Sequence, residues 1–106
     1  MIVITKNFAN DILTFIKGKI SWAQIITDQA TRNVLISSMN IIDNSSNNEM
    51  VLSIELYRSD EVAETLQQIV FYDVSNNVIF KSINLSSQLP ASKISFVYQI
   101  KLVYSQ

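Results

Sequence analysis

The chain carries no histidine and no cysteine, and only one glycine (Gly18) and one proline (Pro90). Without histidine the commonest general base and the commonest transition-metal ligand are both missing. Without cysteine there is no disulfide framework, thiolate nucleophile or zinc site of the sulfur type, and nothing is implied about compartment. A single glycine excludes the glycine-rich loops that cradle phosphates. Apolar residues never run to the eighteen or so that span a bilayer as a helix. The opening Met1-Ile-Val-Ile-Thr has no basic stretch followed by a long apolar one, so no secretory signal is expected.

What is present is apolar residue in quantity. Of 106 residues 48% are apolar and 16% charged, the net charge is −1, and the mean hydropathy is +0.21. Length predicts one domain over 1–106, large enough to bury a core without metal or disulfide. The lysines Lys6, Lys17, Lys19, Lys81, Lys93 and Lys101 are scattered among acids, which argues against nucleic acid as a partner. Two readings account for the high hydropathy. Either the core is rich, or some apolar surface is covered by another chain.

Residues 7–17 have helical periodicity, with Phe8, Ile12, Phe15 and Ile16 on one expected apolar face. Thr5 or Asn7 is placed to cap the start, and Asp11 suits the dipole there. Gly18, between Lys17 and Lys19, is expected to end the helix through a left-handed residue. After it the period becomes two. The segment Ile20 to Ile26 is apolar on both faces, the polar stretch Asp28 to Asn33 reads as a connection, and Val34 to Ile42 reads as a second strand. Asp43 to Asn48 is a loop, and Met50, Leu52, Ile54 and Leu56 alternate along a third strand. Ser59 to Gln68 reads as a turn leading to a strand at Leu66 to Tyr72, in preference to a short helix. Asp73 to Asn77 is a hairpin connection to Val78–Ile83. Pro90 lies in a polar linker over 86–92. The last strand presents Ile94, Phe96, Tyr98, Ile100, Leu102 and Tyr104 on one face, which is expected to be buried. Strands at this spacing predict a mainly β fold, an antiparallel β-sandwich with one short N-terminal α-helix.

Candidate chemistry is sparse. Glu61 with Glu64, or Glu49 with Glu55, are acid–base pairs in principle but read as solvated charges. The serines have no histidine to activate them. The Asp43 to Glu49 tract lacks the Asp spacing and Gly of a calcium loop. Two Asn-x-Ser triplets, at Asn44 and Asn84, are expected by chance in so Asn- and Ser-rich a chain. No catalytic, cofactor or metal residue is therefore assigned. Interface residues are assigned instead: Ile20, Trp22, Tyr57, Tyr72 and Tyr104, which sit in alternating strands as core or contact residues.

The order of segments carries a resemblance. A helix containing Ile12-Leu13 exits into Lys19-Ile-Ser-Trp-Ala-Gln24. Later come Thr65 to Asp73, Val78-Ile-Phe-Lys81 and a closing Ser95 to Leu102. This resembles the small β-rich proteins and attachment domains of bacteriophage tail fibres, tail appendages and baseplates. The resemblance implies a virion structural protein, assembled in the host cytoplasm into a tail, with other virion proteins as partners. It also implies a ring or trimer of identical chains; charge and apolar run lengths leave neither nucleic acid nor a membrane as an expected partner, and no small-molecule ligand is expected. A carbohydrate- or receptor-binding module and a small cytoplasmic adaptor or inhibitor of a host protein are the competing expectations, and an enzyme ranks last.

Overall fold

Lys6–Lys19 form the helix α1 in the computed structural model, which describes residues 1–105; Gln106 lies outside the described residues. The hydroxyl of Thr5 caps the helix by accepting from the Phe8 N–H at 3.2 Å. Its packing stripe is Ala9 and Leu13, fully buried, with Ile12 and Ile16 half-buried. Phe8 and Phe15 point to solvent, against the expectation. The stripe centres on Ala9 because a methyl group lets the helix axis approach the sheet more closely than a ring does.

The helix also runs through Gly18 to Lys19, so the expected glycine terminus is corrected. No described glycine has a positive φ, and the capping residue is Ile20 in an extended conformation, its N–H bonded to the Ile16 carbonyl. Left-handed backbone falls to asparagine instead: Asn48 at φ 52°, Asn76 at 65° and Asn84 at 59°. Asparagine tolerates this region because its short amide bonds to nearby backbone.

Among the described residues seven strands follow: β1 (Trp22–Thr27), β2 (Thr31–Asn44), β3 (Glu49–Arg58), β4 (Glu64–Tyr72), β5 (Val78–Ser82), β6 (Ser87–Leu89) and β7 (Ile94–Val103). The mainly β, antiparallel architecture with one N-terminal helix is as expected. The layering differs. One continuous sheet runs β5-β4-β1-β2-β3-β7, with β6 on β4, and it curls into a half-barrel where a two-layer sandwich was expected. The curl depends on β2. Its first residues pair with β1 and its remainder, from Leu35, with β3; the register slips between Ile36 and Ser38. A second slip falls at Ile26/Thr27 and a third at Phe71/Tyr72. Such bulges bend a strand and raise its twist.

Curling brings Tyr98 of β7 to Phe71 of β4 and Phe80 of β5, ring centroids 5.5 Å and 6.4 Å apart. The helix closes the rest of the concave face against β3 and β2. Inside lie Ala23, Ile25, Leu52, Ile54, Leu56 and Phe71, all without exposure. The inward row of β7 is the expected one, but Phe96, Tyr98 and Ile100 are half-buried, since β7 is an edge strand. Two shorter expectations also shift. The connection after β1 is a tight turn over 28–30, and the expected 86–92 linker contains β6.

Because a Cβ at Gly18 meets nothing within 4 Å and the residue is helical, Gly18→Ala is expected to stabilise the fold by about 0.5–1 kcal/mol. A urea titration checks this, and destabilisation would contradict a helix continuing through residue 18.

Candidate functional site

The densest cluster of charge lies at one end of the sheet, where the end of β3 meets the start of β4. Arg58 has no exposure and Glu64 has 3%. The Glu64 carboxylate accepts from Arg58 Nη1 at 3.0 Å, from Arg32 Nε at 2.8 and 3.0 Å, and from the Thr27 hydroxyl at 2.7 Å. Arg58 also donates to the carbonyls of Val62, Pro90 and Ser92. Four strand ends and the β6–β7 link thus share one ion cluster. Burial pushes the Glu64 carboxyl up, but the hydrogen bonds from Thr27 and Arg32 and the charges of Arg32 and Arg58 outweigh it. The group sits below its ordinary value of 4.5. A carboxylate so thoroughly engaged has no lone pair facing solvent, which makes it a fastener, not an acid–base catalyst. The expectation that Glu64 is a solvated charge is corrected. The signal available was that Arg58 continues the inward alternation of Met50, Leu52, Ile54 and Leu56, which demands a buried counter-charge nearby.

A smaller cluster joins the far end of the molecule. Asp43 accepts from Lys6 Nζ at 2.6 Å and from the Tyr104 hydroxyl at 2.7 Å. The hydrogen bonds from Lys6 and Tyr104 lower the Asp43 carboxyl, and the same bonds raise Lys6 and Tyr104. Here the cluster ties the helix start to β2 and to the end of the chain. Among the described residues no group of three or more His, Cys, Asp or Glu is placed to hold a metal ion.

The convex face of the sheet is where three of the assigned interface residues, Trp22, Tyr57 and Tyr72, come together. Trp22 pairs across to Tyr72, their rings stacked at 4.0 Å and 7°. The β1–β2 register, Ala23 opposite Val34, places Leu35 beside Trp22 at the next step. Leu35 pairs with Tyr57, and Tyr57 with Ser95. One row, Tyr72–Trp22–Leu35–Tyr57–Ser95, therefore crosses β4, β1, β2, β3 and β7. The rings are half-buried, and Leu35 is 63% exposed. Ile20 and Tyr104 are not part of it. Ile20 is buried where the helix ends, and Tyr104 is buried beside Asp43. Leu35 is the member that sequence reasoning missed, because its strand was read as a unit without a facing partner.

Compared with family models, curated proteins and solved structures, this chain matches none. The chemistry of the row must therefore be read from its own geometry. The polar groups of its Trp22–Tyr72 half are already paired: Trp22 Nε1–H donates to Asn76 at 3.0 Å, the Tyr72 hydroxyl to Gln24 at 2.8 Å, and the Gln24 amide to Asn33 at 2.9 Å. The Trp22 and Tyr72 rings also occupy each other's faces. A sugar platform needs an open ring face and free donors beside it. The Trp22–Tyr72 pair offers apolar edges instead.

Replacing Glu64 with Gln leaves the buried Arg58 without a counter-charge, and a loss of about 3–5 kcal/mol is expected in urea titration at pH 7. Because the native carboxyl lies below the unfolded value, its contribution is present above pH 4.5 and lost as pH falls through the native value. The gap between wild type and Glu64→Gln should close across that acid range. A loss under about 1 kcal/mol at pH 7 would contradict the fastening role.

Proposed function

We propose that this chain is an assembly module, a virion structural protein of a tail or appendage that acts by joining protein chains. The observation that carries the reading is the convex row of Trp22, Leu35, Tyr57 and Tyr72. It is largely apolar and continuous across the sheet, with the polar groups of Trp22 and Tyr72 already hydrogen-bonded, and such a surface gains from burial against another protein. Other exposed apolar residues lie on the same strands: Ile42 on β2, and Val97 and Val103 on β7. The virion setting comes from the segment order and its likeness to tail and appendage proteins. Neither the charge nor the clusters described above favour a nucleic acid, a membrane or a small-molecule substrate.

Copies of one chain usually close into symmetric rings, so a homo-oligomer is the form in which this surface would be used. The test is sedimentation at micromolar concentration of the wild type and of Leu35→Glu. The substitution sits on an exposed position and should leave the fold intact. Wild type is expected to sediment above its 12.0 kDa chain mass, and Leu35→Glu to shift toward the monomer. Two monomers of equal stability, with binding to a carbohydrate array, would contradict the assembly reading and favour the sugar-binding one.

A further inference from the structure

One hydrogen bond shows which way each backbone group of β7 points. The Tyr104 N–H donates to the Asn48 carbonyl, toward β3, and β7 pairs with β3 from Ile94 to Val103 without a register slip. In an antiparallel strand the N–H and C=O of one residue point to one side and those of the next to the other. Phe96, Tyr98, Ile100 and Leu102 therefore bond β3. Ser95, Val97, Gln99, Lys101 and Val103 turn their groups to the outer side, where β7 is the last strand of the sheet. Ser105 continues that outward series, and its N–H donates to the Ile4 carbonyl at 2.7 Å. Residues 2–4 line a cleft with Val103–Ser105, which takes up the end of the edge beyond Lys101. From Ser95 to Lys101 the outward groups meet no backbone partner among the described residues.

An open strand edge is a template for another strand, and charge on it restricts which strand fits. The one charge on β7 is exposed Lys101. Neither Lys101 nor Glu55 belongs to an ion pair among the described residues. Glu55 stands on β3 beside Val97 and accepts from the Ser37 hydroxyl at 2.9 Å. Lys101 stands four residues further along, about 14 Å away, so the two do not meet within one copy. Turning a second copy about a two-fold axis at Gln99 sets its Lys101 opposite Val97. That lysine then shares a row with Val97 and Glu55, about 10 Å from Glu55 between backbones, a gap the two side chains span. Other registers lack this match. An axis at Lys101 opposes the two lysines, and one at Val97 opposes Lys101 to Lys93. Axes at Tyr98 or Ile100 put Lys101 in a row with Ser95 and Tyr57 or with Gln99 and Ser53, neither of which holds a carboxylate. At the chosen axis Gln99 meets its own image, and an amide both donates and accepts. On the inner face the same register sets Leu102 opposite Phe96, both half-buried. Phe96 borders an apolar groove of about 350 Å³ whose far wall includes Leu66, Leu85 and Leu89, so Leu102 of the second copy enters it.

We infer that the Val97–Lys101 edge of β7 binds the same edge of a second copy, antiparallel about a two-fold axis at Gln99. The inference rests on the assembly reading and specifies its geometry. The pairs Val97–Lys101, Gln99–Gln99 and Lys101–Val97 each exchange two backbone hydrogen bonds, all from groups left open in one copy. The contact is isologous, the same patch on both copies, and it closes at two. Because the axis is perpendicular to the sheet, the convex rows of both copies lie on one face of a doubled sheet and remain available for further association.

The chain has no cysteine, so an introduced one reports a single contact. Gln99→Cys places two thiols at the axis, about 5.5 Å apart between Cα atoms and within disulfide range. Val103→Cys, exposed on the same strand, places them about 27 Å apart. Thermal melts establish that each variant is folded. Under mild oxidation at micromolar concentration, read on a denaturing gel, Gln99→Cys should form a covalent dimer about tenfold faster than Val103→Cys. Adding Lys101→Glu to Gln99→Cys puts two carboxylates in one row and should slow the cross-link about tenfold; adding Glu55→Lys as well should restore it. Equal cross-linking of the two cysteines overturns the inference. So does a Lys101→Glu change without effect, or a loss that Glu55→Lys leaves unrepaired. If wild type sediments above its chain mass while Gln99→Cys does not cross-link, the edge geometry falls and the assembly reading stands. A wild type that is monomeric throughout overturns both.

Discussion

The ion pair between Arg58 and Glu64 is the constraint on which the rest of the sheet depends. An antiparallel sheet is held along its length by ladders, but its ends have only turns to fix them. Here β3 and β4 are not neighbours in the sheet; β1 and β2 lie between them. The turn over 59–63 must therefore cross two strand ends. The Glu64 carboxylate meets that crossing by bonding Thr27 of β1, Arg32 of β2 and Arg58 of β3 at once. Arg58 extends the same hold to the carbonyls of Pro90 and Ser92, which set where β7 begins. The cluster contributes less to net stability than its charges suggest, because desolvation offsets most of the attraction. Its consequence is geometric: it fixes which strand ends lie together, and hence how far the sheet curls.

From that curl follow both surfaces of interest. The concave side is closed by α1 and by the meeting of Tyr98 with Phe71 and Phe80, so the core needs no second sheet. A strand apolar on both faces then has no second layer to cover its outer side. That is why Trp22 on β1 and Leu35 on β2 stand on the convex face. It is also why β7 closes only part of the way toward β6 and leaves a groove along its edge. The exposed apolar residues are the remainder of a single sheet that curls without closing.

Much of this was legible in the sequence, for physical reasons. Alternation is a strong signal wherever one face is buried, so Met50 to Leu56 and Ile94 to Leu102 were readable with the correct inward residues. The Asp73–Asn77 turn was readable because the Asp73 carboxylate accepts from Ser75 and Asn77. The choice between one curled sheet and two packed sheets was not legible. It rests on a one-residue slip at Ile36/Ser38, which no composition betrays. The helix face was not legible because the spacing of Phe8, Ile12, Phe15 and Ile16 also makes an apolar stripe, and only the closeness that Ala9 allows decides for the face of Ala9 and Leu13. The helix end was not legible from Gly18, because glycine favours helix ends without requiring them. Of the five assigned interface residues, Trp22, Tyr57 and Tyr72 share a row, while Ile20 and Tyr104 serve the core. Alternation alone does not distinguish the two roles in strands that are apolar on both sides.

If the proposed assembly role holds, the sheet, fastened at its strand ends and left open along β7, is completed by another chain. Amide hydrogen exchange at two protein concentrations, submicromolar and well above micromolar, reads this directly along the backbone. With association, protection should rise at Val97–Lys101 and stay constant along β3, whose amides are already paired on both sides. Exchange at Val97–Lys101 that is the same at both concentrations, in a sample shown by its mass to be associated, would contradict completion of the sheet along β7.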